Sequence, residues 1–150
     1  MRTVAVGGLI SALSLAGIVV YMAIDTGEDT RGFFFVVLLS ALLLLGVVLL
    51  PWNRVLVTKW ALRALYAWSV LQVIVIAGAV YFDGGASSSM YVMFYVLALF
   101  FAVAYPKHAQ LLLLGVMCAA YGVAVGFGRA DIDAGPLFLR AASLALLAYV

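Results

Sequence analysis

The chain has little charge and few residue types that do chemistry. Only 9% of its 150 residues are Asp, Glu, Lys or Arg, against 69% hydrophobic. A soluble domain carries roughly a quarter charged and half apolar residues, so a water-soluble globule is excluded. The net charge of +2 is too small for a nucleic-acid surface. A single cysteine, Cys118, rules out an internal disulfide and leaves the redox compartment open; it reads as a buried, inert thiol. A single histidine, His108, leaves no pair for a haem and no ligand set for zinc or copper. It also lies far from any serine it could activate as a base. No glycine pattern that cradles phosphate is present. No acid interrupts an apolar run, which removes the usual carboxylate of a proton-coupled transporter. Lys59 and Lys107 stand at run edges, away from where a mid-membrane Schiff base would form. The expectation is no catalytic residue, no metal, no cofactor and no enzyme activity in this chain.

Long apolar runs take up most of the remainder. A helix rises ~1.5 Å per residue and the hydrocarbon layer is ~30 Å thick, so a span needs about 20 residues. The spans are expected at Val4–Ile24, Phe33–Leu50, Ala61–Phe82, Ser89–Tyr105 and Ala109–Phe127, with a sixth over 137–150. A single segment in lipid satisfies its own backbone only as a helix. A barrel would alternate polar and apolar residues, and Phe33–Val37 and Leu111–Leu114 do not. The fold class is therefore all-α, a polytopic membrane bundle of six transmembrane helices forming one domain, 1–150. Val4–Ile24 is too long for the core of a signal peptide, and no clear A-x-A site follows it, so it is read as a retained span. The sixth run is 14 residues long, about 21 Å of helix, so the chain looks cut inside its last span.

The turns set the orientation. Pro51, Pro106 and Pro136 all stand between runs, where proline stops or starts a helix. Arg2, Arg54, Lys59, Arg63 and Lys107 fall on one side; Asp25, Glu28, Asp29, Asp83, Asp131 and Asp133, with Arg31 and Arg129, fall on the other. The positive-inside rule puts the N-terminus in the cytoplasm, in a multi-pass protein of the cell inner membrane. Trp52 and Trp60 would mark the inner interface, Tyr21 and Tyr81 the outer.

Four residues are candidate ligand contacts. Gln72 lies near the centre of the third run and either bonds another helix or touches a small ligand. Arg140 lies about one turn into the sixth run. It would snorkel outward, pair with Asp131, Asp133 or Asp83, or hold an anionic group from the outer face. Tyr91 and Tyr95, with Tyr105, Ala98 and Ala102, share one face of the fourth run, as a packing surface or a pocket wall. Gly8-Ala12-Ala16 and Gly122-Gly126 have small-xxx-small spacing, which permits close helix approach within the bundle or in a dimer.

The stretch Tyr81-Phe-Asp-Gly-Gly-Ala-Ser-Ser-Ser-Met-Tyr91, followed by Phe100-Phe-Ala-Val-Ala-Tyr-Pro-Lys-His-Ala109, resembles the six-helix membrane module ahead of GGDEF diguanylate cyclases in actinobacteria. Related modules precede class III adenylate cyclases. The similar features are the aromatic pair, the Gly-Gly turn with serines, the aromatic-rich span and the basic turn opening the fifth run. The resemblance implies a non-catalytic sensory and dimer-organising module that would regulate a cytoplasmic cyclase or kinase output domain. Its partners would be the bilayer, a second copy and a small ligand from the outer face. Asp83-Gly-Gly is a turn here and not the cyclase motif, so no catalytic role carries over. The alternative expectations are a small oligomeric transporter or channel subunit, with Gln72, Arg140 and the tyrosines along its path, and a membrane assembly subunit.

Overall fold

Leucine, valine, alanine and phenylalanine fill the apolar runs with no internal proline, and the runs fold as helices. The computed structural model describes residues 2–24, 30–49, 61–127, 140, 142 and 143. Among these the long elements are α1 (Arg2–Ile24), α2 (Thr30–Leu49), α3 (Ala61–Phe82), α4 (Val92–Ala104) and α5 (Lys107–Gly126), with a 3-10 turn over Gly85–Ser87. No strand occurs among the described residues. The five helices follow the first five apolar runs in order. Most of the expected sixth span lies outside the described residues. So do 25–29, 50–60 and 128–136, which hold Asp25, Glu28, Asp29, Arg54, Lys59, Arg129, Asp131 and Asp133.

α3 and α5, 22 and 20 residues long, are long and apolar enough to cross a membrane. The fourth element departs from expectation. The sequence suggests Ser89–Tyr105, but α4 covers 13 residues, about 20 Å. Its start is delayed because the chain after α3 folds into a compact loop. Gly84 takes φ 94° and Gly85 φ 62°, the left-handed region that ends helices and favours glycine. Its end is early because Tyr105 precedes Pro106. The proline ring pushes Tyr105 out of the helical region, to φ −122°, ψ 150°, and the Tyr105 N–H closes the last turn on Phe101 O at 3.1 Å.

α3 lies at the centre, against α2, α4, α5 and the 3-10 turn, while α1 packs on α2 and α4. Val73, Ile76, Phe94, Phe101, Leu113 and Met117 form the fully buried centre. The outside is just as apolar: Leu13, Phe34, Phe35, Leu62, Leu112 and Val103 are exposed, Val103 at 82%. Cys118 is a correction. It is exposed, not buried, on an outward face of α5. Gly115, Gly122 and Gly126 stand on the same side, and an added Cβ there would meet nothing within 4 Å.

Candidate functional site

Polar clusters lie near the two ends of the bundle, with Gln72 and Ser11 paired between them. At one end α3 runs into Asp83, whose carboxylate is surrounded by donors. Tyr21 of α1 donates its hydroxyl to Oδ1 at 2.8 Å. Ser88 donates to Oδ2 at 2.6 Å, and the backbone N–H groups of Ser89 and Met90 donate to the same atom at 3.0 and 3.4 Å. Asp83 thus holds the chain that leads into α4, whose own first N–H groups close on the Ser89, Met90 and Tyr91 carbonyls. Ser88 is itself buried and accepts the Met90 N–H at 3.0 Å. Such irregular backbone is tolerated because its polar groups are satisfied internally.

Beside this loop a second cluster closes into a ring. The Arg140 guanidinium lies over the Tyr91 ring, 4.0 Å from Cζ to the centroid, and donates to Ala86 O at 2.7 Å. Tyr91 meets the edge of Tyr95 at 5.9 Å between centroids. The Tyr95 hydroxyl pairs with Ser143 Oγ, and Ser143 donates to Arg140 O at 2.9 Å. The Tyr91–Tyr95 and Ser143–Arg140 links follow from spacing. Tyr91 and Tyr95 are one turn apart at the start of α4, and Arg140 and Ser143 three residues apart, so each pair shares a face.

Three of the four expected residues therefore meet: Arg140, Tyr91 and Tyr95. Gln72 belongs to a separate contact, donating from Nε2 to Ser11 Oγ of α1 at 2.8 Å. Tyr105, expected on the tyrosine face, turns to α3 instead. It donates to Leu65 O at 3.0 Å, pairs with Ser69 Oγ at 2.7 Å and stacks on Tyr66 at 5.3 Å. Tyr121 is buried against Phe94, and its hydroxyl has no hydrogen-bond partner among the described residues. The sequence reading missed Asp83 as a structural acceptor and Ser143 as the partner of Tyr95. The run of serines after Asp83-Gly-Gly was the available signal for the first. Nothing local marks the second.

An open groove of about 650 Å³ runs between α3 and α5, lined by Ile74, Gly78, Tyr81, Ala120, Val123 and Phe127 among others. It is almost wholly apolar and offers nothing to select a charged ligand. Among the described residues no three His, Cys, Asp or Glu side chains come together as a metal-ligand group. Comparison with protein-family models, curated proteins and solved structures finds no match to this chain.

Proposed function

We propose that the chain is a six-helix, multi-pass sensory module of a bacterial cytoplasmic membrane, with its N-terminus inside. It responds at its outer face and passes that response through the sixth helix to a cytoplasmic nucleotide cyclase or kinase output domain. One observation carries the reading: Arg140 and Ser143, in the sixth apolar run, are tied to the Asp83 loop and to α4. A change at that loop would move the sixth helix directly. Membrane insertion is supported by the exposed large apolar side chains on α1 to α5, such as Leu13, Phe34, Leu62, Val103 and Leu112, which lipid covers at no desolvation cost. Orientation is supported by exposed Arg63 and Lys107 at the end opposite Asp83 and Arg140. A dimer is part of the proposal, with the outward glycines of α5 as its contact.

Coupling of ~1–3 kcal/mol suffices for such a switch. The test is an in-frame fusion to a reporter cyclase with one to four residues inserted after the sixth helix, each turning the output by about 100°. Output should oscillate with the insertion, and Arg140→Gln should flatten its response to outer conditions. Output independent of helix phase would overturn the proposal. Solute flux in proteoliposomes that Gln72→Leu abolishes would favour the transporter instead.

A further inference from the structure

We infer that Arg140, seated on Tyr91, is the cationic centre of an oxyanion site at the Asp83 end, taking a carboxylate or phosphate group. The inference deepens the sensory reading and rests on its placing that end outside.

The guanidinium is held before any ligand arrives. Tyr91 covers one of its faces. Ala86 O takes one N–H. Its own backbone is tied back through Ser143 to Tyr95, which braces Tyr91. Such fixing reduces the ordering cost that a ligand would otherwise meet.

Among the described residues, however, no acid compensates the charge. A guanidinium carries several N–H donors in a planar fork suited to two oxygens, and its one acceptor among the described residues is a neutral carbonyl. Asp83 is the described acid on the neighbouring loop, and it does not serve as the counter-ion. Its two oxygens are taken by Tyr21, Ser88 and the N–H groups of Ser89 and Met90. A partly buried cation without an anion is costly, and the cost falls when an oxyanion enters the open edge of the fork. An edge anchor would need only the stack and the carbonyl; the spare donors point to a ligand. The oxyanion could come from a soluble molecule or from a lipid headgroup, since both present the same oxygens.

The test uses the unaltered chain in dodecyl maltoside micelles, which carry no phosphate, with 15N-labelled arginine side chains and the Arg140 Nε–H signal assigned through its backbone. Inorganic phosphate and acetate are titrated separately at constant ionic strength, and a third sample carries phosphatidylglycerol. The expected result is a saturable shift of the Arg140 signal and of the backbone amides of the Asp83 loop, with Arg140→Gln weakening the affinity read from those loop amides by about tenfold or more. A response to phosphate or acetate assigns a soluble ligand; a response to phosphatidylglycerol alone assigns a headgroup. No saturable shift with any of the three overturns the inference. So does an Arg140 signal that moves only in an Asp131→Asn, Asp133→Asn variant, which would show an internal pair. The binding measurement does not read an output domain, so failure here leaves the helix-phase result of the fusion standing. A flat fusion result likewise leaves the binding result standing.

Discussion

The phenol of Tyr21 donates to Asp83 Oδ1 at 2.8 Å, joining the last turn of α1 to the end of α3 across 62 residues. That bond and the Ser88 bond share one carboxylate, so a single side chain holds α1, α3 and the entry to α4. The loop that meets Arg140 is built on this acceptor.

Removing the carboxylate should therefore cost more than removing one donor. Tyr21→Phe should destabilise the bundle by about 1.5 kcal/mol, the value of one hydrogen bond to a charged group. Asp83→Asn should cost about 3 kcal/mol, since an amide NH2 cannot accept from the donors that now face an oxygen. Equilibrium unfolding in mixed detergent measures both. Equal losses would show that the Ser88 and backbone bonds contribute nothing.

Gln72→Leu should lose about 0.6 to 1.7 kcal/mol, the range for interhelical hydrogen bonds in membranes. A double-mutant cycle with Ser11→Ala isolates the bond, because Gln72 Nε2 donates to Ser11 Oγ. Strictly additive losses would show that the pair contributes no stability.

Gly32 and Gly46 should respond in opposite ways to alanine. At Gly32 an added Cβ would overlap the Phe82 ring, while at Gly46 it would meet nothing within 4 Å. Gly32→Ala should cost ~1–3 kcal/mol by overpacking, and Phe82→Leu should recover part of it. Gly46→Ala should be neutral or stabilising by up to about 1 kcal/mol. Reversal of this order in the same unfolding assay would contradict the α2–α3 packing.

Cys118 reports on the proposed dimer. It is exposed beside Gly115 and Gly122 on the outer side of α5. If two copies meet there, copper-phenanthroline oxidation in membranes should give a disulfide-linked dimer, since a bridge needs the two Cα atoms within about 7 Å. Gly122→Leu should suppress it by holding the helices apart. A chain that stays monomeric while a maleimide labels Cys118 would remove α5 as the contact.

The helices were legible because each is a local property: unbroken apolar composition with turns between. The end of α3 at Phe82 was legible because Asp83-Gly84 follows it. α4 was read too long because apolar residues from Met90 onward look like helix, while Ser88, Ser89 and Met90 are held in a loop by Asp83. Tyr91 and Tyr95 were grouped by their one-turn spacing, but nothing in the sequence announced that Arg140 would meet them.

Composition alone settled that this chain is helical and cannot bury its apolar surface within itself, because both follow from residue type and run length. The rotation of each helix about its axis could not be read that way. In a helix apolar on all sides no stripe marks the inward face, so Cys118 could be placed in the core by sequence and yet stand outside. Pairings such as Tyr21 with Asp83, Gln72 with Ser11 and Arg140 with Tyr91 depend on those rotations and on the depth at which distant helices dock. They exist only once the helices have packed.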